Sequence, residues 1–252
     1  MTGELRSPLS EASDALERGD HEAVLNLTDA MLAARPGDDA AHEFRARALL
    51  ALGRAEEAEQ HAQDAVRLDP DEIRYRELLA QVLSAVGAHR DAAVEYGRLA
   101  RNDPRQPDWT ISEAEERMSA ANAAAAVDAA RRAVRLDPRN GQAQLALARA
   151  LVRVGDAPGA FQAAGAATRL LGEHADAREV LADARWLAGQ ARDAFEGYRS
   201  LARELDGGSR GRVVDKARRL YLQHAGWFGR VLAAAPAVFG LALRSGWISV
   251  EA

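Results

Sequence analysis

The sequence predicts an all-α chain of about six stacked helix pairs, closed by a basic, apolar C-terminal helical segment. Three observations carry that reading. Small residues recur every 34 positions along most of the chain. Between them, apolar residues follow helical spacing, as in Leu78, Leu79, Val82, Leu83 and Val86, and no segment alternates as a strand would. At 252 residues the chain is long enough to bury a core without staples, and it has no cysteine to supply any.

The period is carried by independent columns. Gly53, Gly87, Gly155 and Gly189 lie on one 34-residue grid, with Ala121 in the missing slot. Ala46, Ala80, Ala114, Ala148 and Ala182 form a second column, and Ala58, Ala92, Ala126, Ala160 and Ala194 a third. Pro70, Pro104 and Pro138 continue the grid. The alanines are read as the close-approach points of two antiparallel helices. The glycine follows the first helix, where a left-handed cap needs no Cβ. The prolines stop the second helix and suit the start of the next, with Asp69, Asp103 and Asp137 before them as expected N-cap acceptors.

In chain order, a degenerate first pair is expected at about 5–38, turning at Gly19-Asp20 and ending at Pro36. Full pairs follow at 39–72, 73–106, 107–140, 141–174 and 175–206. In the pair at 107–140 the turn reads Ser119-Ala120-Ala121-Asn122-Ala123, without glycine. Either Asn122, which tolerates the left-handed region, caps the helix, or the helix runs on. Asp38-Asp39 sits after Pro36 where a helix begins and reads as a cap.

These columns resemble the tetratricopeptide repeat family. Its small–small–alanine–proline signature stands in Ala46–Gly53–Ala58–Ala65–Pro70. It recurs in Leu79–Ala80–Gly87–Ala92–Tyr96–Pro104, in Leu147–Ala148–Leu151–Gly155–Ala160–Ala167 and in Leu181–Ala182–Gly189–Ala194–Tyr198. The resemblance covers about four-fifths of the chain. The aromatic that the family places early in the first helix is mostly missing, and His42 and Arg76 occupy that column. The resemblance implies a right-handed α-solenoid whose first helices line a concave, partner-binding face. The residues so placed are Glu43, Arg47, Leu50, Arg74, Glu77, Gln81 and Ser84 in the second and third pairs. In the last three pairs they are Ile111, Glu115, Met118, Leu145, Arg149, Val152, Arg153, Glu179, Asp183 and Trp186. The second set, with five apolar side chains, is the expected partner-binding groove, and Trp186 is its best anchor unless it packs under the C-terminal segment. Chaperone-binding members of the family grip a carboxylate with lysine, asparagine and arginine. Here Glu77, Gln81, Leu145 and Arg149 stand in comparable columns, so that ligand is not expected.

Composition narrows the function classes. The chain carries 33 basic and 38 acidic groups, a net charge of −5. Residues 207–252 are net +5 and residues 1–206 net −10, so the body is too acidic for a nucleic-acid partner. The single lysine, Lys216, among 32 arginines fits a GC-rich bacterial genome. The N-terminal stretch has no apolar core of a secretion signal, so a cytoplasmic location is expected. No enzyme chemistry, cofactor or metal site is expected. No two of His21, His42, His61, His89, His174 and His224 lie within five residues, so no pair shares a helix face as metal ligands. His21-Glu22 opens like a zinc-protease motif but lacks the second histidine, and His21 and His89 read as solvated turn residues.

Gly207-Gly208-Ser209-Arg210-Gly211 reads as a break. Beyond it, Arg212 to His224 places Val213, Val214, Ala217, Leu220, Tyr221 and His224 on one side, an amphipathic cap for the array. The stretch 227–250 has an apolar run of 13 residues between Trp227-Phe228 and Trp247. A membrane span needs about 20 residues. An interfacial anchor on anionic lipid fits the arginines. Two short helices meeting at Pro236 and finishing the core are favoured. The expected function is a non-catalytic scaffold or adaptor for a protein or peptide partner. The alternative is an assembly factor held peripherally at an anionic membrane by this tail.

Overall fold

A computed structural model describes residues 7–224, 236–245 and Ile248. Among them are fourteen α-helices and no strand. They divide into two compact units, residues 1–121 and 122–252. The first holds α1 (Pro8–Glu17), α2 (His21–Ala34), α3 (Asp39–Ala51), α4 (Ala55–Leu68), α5 (Ile73–Ala85), α6 (His89–Asn102) and α7 (Pro107–Ser119). The second holds α8 (Ala123–Leu136), α9 (Gly141–Val154), α10 (Ala157–Leu171), α11 (Ala175–Leu187), α12 (Ala191–Glu204), α13 (Gly207–His224) and α14 (Pro236–Ser245).

Each alanine of the two columns is at a helix–helix seam. Ala46, Ala80 and Ala148 are fully inaccessible, as are Ala58, Ala92, Ala126, Ala160 and Ala194. Methyl-sized side chains let the backbones approach, so the alanine richness is structural. The core of the first unit is built on Val24, Leu49, Leu78 and Val82. That of the second is built on Phe195, Tyr198, Leu201, Leu220, Phe239 and Leu243.

The turn within each pair depends on one left-handed residue. At Gly53 (φ 74°) the Arg54 N–H donates to Leu49 O at 2.9 Å and the Gly53 N–H to Leu50 O at 3.0 Å. These two bonds satisfy carbonyls that the helix leaves open. In the glycine-less turn the left-handed residue is Ala121 (φ 58°), the one non-glycine with positive φ among the described residues. Asn122, expected as a left-handed cap, instead N-caps α8, its side chain accepting from the Ala125 N–H at 3.3 Å. An asparagine amide is worth more on an open helix N-terminus than in the turn before it.

The Asp–Pro pairs also differ from expectation. Asp69, Asp103 and Asp137 do not N-cap the next helix. Their carboxylates accept from the N–H two residues on, in Asp71, Arg105 and Arg139, at 3.2, 3.0 and 2.9 Å. Proline at the second position then closes a turn in which the Gln106 N–H donates to Asp103 O and the Asn140 N–H to Asp137 O. The helix caps come one turn later. Asp38 accepts from the Ala41 N–H and Asn140 from the Ala143 N–H, both at 3.0 Å.

The break expected at 207–211 lies earlier and is shorter. α13 begins at Gly207, and Arg210 bonds back to the Asp206 carboxylate at 2.6 Å. Gly207 has φ 56°, a left-handed value that glycine takes without a Cβ clash. Val213, Ala217 and Leu220 are fully buried against α12, with Tyr221 partly buried beside them. In α14, Phe239 and Leu243 are fully buried in the same core, and Ile248 joins it. No described helix is long and apolar enough to cross a membrane. Trp227, Phe228 and Trp247 lie outside the described residues.

Candidate partner-binding faces and a histidine cluster

In the first unit, the first-helix residues singled out from the sequence are unequally available. Ile111 is buried, Met118 half-buried and Glu115 exposed. Glu43 is buried and holds Arg47 one helical turn on. Between α5, α6 and α7, Glu116 accepts from the Ser84 hydroxyl at 2.6 Å and meets His89 Nδ1 at 2.8 Å. His89 is therefore held by a carboxylate rather than being a free turn residue. Serine, glutamate and histidine meet here in an order that activates nothing. The carboxylate lies between the other two, so the imidazole does not reach the hydroxyl proton.

In the second unit, Leu145 on α9 is buried, while Val152 is half-buried and Arg153 exposed. Arg149 bonds Asp176 of α11 at 2.8 Å. On α11, the three remaining candidates are engaged by α13. Glu179 accepts from Arg212 at 3.0 Å and Lys216 at 2.7 Å. Asp183 accepts from Lys216 at 2.5 Å and from the Tyr198 hydroxyl at 2.6 Å. The Trp186 indole N–H donates to Gln223 at 3.3 Å, and its ring meets Tyr198 edge-on with centroids 6.4 Å apart. Burial pushes the Glu179 carboxyl up, but hydrogen bonds from Arg212 and Lys216 outweigh it and its pKa lies below the ordinary value. Burial and the neighbouring Asp183 raise the Tyr198 phenol.

The first unit also joins two histidines from different helices. His42 on α3 and His61 on α4 have their Nδ1 atoms 3.0 Å apart. His42 Nε2 lies 3.0 Å from the Pro36 carbonyl, and Arg45 Nε donates to His61 Nε2 at 3.0 Å. A carbonyl only accepts and a guanidinium only donates, which fixes both tautomers. His42 carries its proton on Nε2 and His61 on Nδ1. The bonds run in one direction, from Arg45 through His61 and His42 to the Pro36 carbonyl. The 34-residue grid supports this assignment. Arg76 and Gln144, in the column of His42, donate to Pro70 O and Pro138 O at 2.9 and 3.3 Å. In the column of His61, Glu95 accepts from Arg76 at 2.9 Å. Burial, then the charge of Arg45, lowers the His61 pKa, which favours its neutral ring. Asp64, one turn after His61, brings a carboxylate oxygen within 4.8 Å of both rings.

Comparison with known proteins agrees with this geometry. Residues 15–82 match a tetratricopeptide repeat family model. The crystal structure of a tetratricopeptide repeat protein from Parabacteroides merdae superposes with a TM-score of 0.70 at 14% identity, covering 94% of this chain and 96% of that one. The fold is that of tetratricopeptide repeat proteins, and residues 15–82 match the family's own sequence pattern. Its helix pairs are also similar to YrrB, a tetratricopeptide repeat protein with an unusual peptide-binding site. There the TM-score is 0.54 at 17% identity, over 78% of this chain and 93% of that one. MamA of AMB-1 gives 0.57 at 15% identity, over 65% and 96%. No curated protein matches in sequence.

Two groups in this array escaped the sequence reading. Linear spacing excludes two histidines on one helix face but is silent on a pair across a hairpin. His42 and His61 are 19 residues apart, the separation of Arg76 and Glu95 one period on. The grid would have paired them had the second-helix column been laid beside the first. The helical wheel puts Arg212 on the side away from the cap's apolar face and leaves Lys216 unassigned. They are the groups that bind α11.

Proposed function

We propose that the chain is a non-catalytic scaffold that binds a protein or peptide partner through first-helix faces of its array. In the first unit the contacts are Ile111, Glu115 and Met118, with Met118 the accessible apolar member. In the second unit they are Arg149, Val152 and Arg153, with Leu145 buried beneath them, next to the α11 face where Glu179, Asp183 and Trp186 already hold α13. One observation carries this reading. The α11 face takes up an amphipathic helix, α13, through two carboxylates that receive cations one turn apart and an indole that bonds an amide. A face built to hold a helix by charge and aromatic contact suits a helical or extended peptide on the neighbouring first helices. The peptide-binding site named for YrrB, a protein of the same fold, agrees with it.

Crosslinking capture with Met118→Asp and Val152→Asp combined tests the proposal. Both side chains are half-buried, so the double variant should keep its helicity while losing the partner. Crosslinks in the wild type should map to α7 and α9. A folded variant that retains the same crosslinked partner would overturn the reading. The described part of the tail is packed in the core through Phe239 and Leu243, which favours this reading over a membrane-held factor.

A further inference from the structure

The cluster of His42, His61 and Asp64 is not used by the proposed scaffold function, and its geometry is that of a ligand set. Two imidazole nitrogens lie 3.0 Å apart. Two such nitrogens bound to one tetrahedral zinc ion, at about 2.0–2.1 Å each, stand roughly 3.3 Å apart. Asp64 lies three residues after His61 on the same face of α4, and a carboxylate oxygen lies within 4.8 Å of a nitrogen of each ring. We infer that His42 Nδ1, His61 Nδ1 and the Asp64 carboxylate form a binding site for a divalent transition ion of the zinc class, clasping α3 to α4, with water completing the coordination.

The hydrogen-bond directions say how the site loads. His42 is ready: its Nε2–H is anchored on the Pro36 carbonyl, so Nδ1 presents a lone pair, as metal-bound histidines usually do when a carbonyl holds the opposite ring nitrogen. His61 is held in the opposing tautomer. With Arg45 Nε donating to its Nε2, the ring proton sits on Nδ1 and occupies the place of the ion. Loading moves that proton, through water, to Nε2, so that the ring stays neutral and Nδ1 offers its lone pair to the ion. A proton on Nε2 faces the Arg45 N–H, and the guanidinium must turn away. Its Nη1 is already bonded to Asp29 at 2.5 Å, so the side chain keeps a charged partner when the Nε bond is lost. Asp64 has to leave its bonds to Arg67 and Gln60, at 2.8 and 3.3 Å. Arg45 is thus a positioning residue that opposes the ion, and zinc competes with a proton already shared by the two rings.

Isothermal titration of the tag-free full chain with Zn²⁺ tests this, with Co²⁺ as a spectroscopic probe. One saturable site per chain is expected, together with a rise in melting temperature on loading and visible cobalt bands of tetrahedral intensity. His42→Gln and His61→Asn should each remove that site. His42→Gln is chosen because Gln144 fills the same column and keeps the bond to the turn carbonyl, so the variant should fold. Arg45→Met, which removes the opposing donor, should tighten binding at least tenfold. That gain separates this site from adventitious binding at the other four histidines. Absence of saturable binding by the intact chain, or equal affinity in folded His42→Gln, would overturn the inference. Unchanged or weaker binding by Arg45→Met would equally do so.

Discussion

The α3–α4 hairpin of the first unit and the α11–α13 seam of the second both carry polar side chains between packed helices, and they satisfy them in opposite ways. In the hairpin the groups are neutral rings in a directed series of hydrogen bonds, with one guanidinium at its head. In the seam, two carboxylates face a lysine and an arginine. A neutral series depends on direction, because one reversed proton breaks it. An ionic seam depends on balance, because either sign alone is left uncompensated. The first should be indifferent to salt and the second sensitive to it.

The largest contrast should come from removing the donors. Arg212→Ala combined with Lys216→Ala leaves Glu179 and Asp183 without cations and should cost about 3 kcal/mol. That sits at the low end for a buried pair, since Arg212 is half-exposed. His42→Gln in the hairpin should cost under about 1 kcal/mol, because the amide can still donate to the Pro36 carbonyl. Urea denaturation of the two variants checks the difference, and equal losses would mean that the two seams do not differ in kind. The alanine contacts provide the reference. Ala58→Leu in the first unit and Ala160→Leu in the second, both fully buried, should each cost about 2 kcal/mol by overpacking. Arg54→Ala, in an exposed turn, should leave the melting temperature unchanged.

Acid should separate the seams further. The folded pKa of Glu179 lies below its unfolded value because Arg212 and Lys216 favour the carboxylate over the cost of burial. The stability from this group is present above the ordinary glutamate pKa, about 4.3, and is lost as pH falls through the lower folded value. Urea midpoints followed by tyrosine and tryptophan fluorescence should therefore drop below about pH 4. Glu179→Gln should flatten that drop. A drop of the same size in the glutamine variant would place the acid-sensitive group elsewhere.

What the sequence revealed and what it hid follow from the range of the interactions. The helix pairs, the alanine seams and the glycine turns depend on positions one period apart or nearer, so periodicity displays them. Asp69, Asp103 and Asp137 were misplaced because an aspartate before proline serves an N-cap or a turn equally well by composition. Only the backbone decides between them. Ile111 and Leu145 belong to the expected groove, yet both are buried, since periodicity names a helix face but not the depth of the residues along it. Arg212 falls on the side away from the apolar face and Lys216 stands out on neither, because a helical wheel does not show which polar residues meet another helix. The histidine pair needed two columns read together, across a hairpin, and neither column is conspicuous alone.

The smallest effect concerns the turns. Five pairs turn on a glycine with φ between 73° and 83°, and the pair at 107–140 turns on Ala121 at 58°. A Cβ in the left-handed region costs roughly 1–2 kcal/mol against the following carbonyl. Glycine removes that cost but loses more backbone entropy on folding, by about 0.5–1 kcal/mol relative to alanine. Ala121→Gly should therefore stabilise the chain by about 0.5–1 kcal/mol. Gly87→Ala, where nothing lies within 4 Å of an added Cβ, should destabilise it by a similar amount through the backbone alone. Paired thermal melts of the two variants measure both. The division of the chain into units at Ala121 makes the outcome informative beyond its size. If glycine at 121 raises the melting temperature without sharpening the transition, the two units already unfold together. If it sharpens the transition, the strained alanine had been weakening the coupling between them.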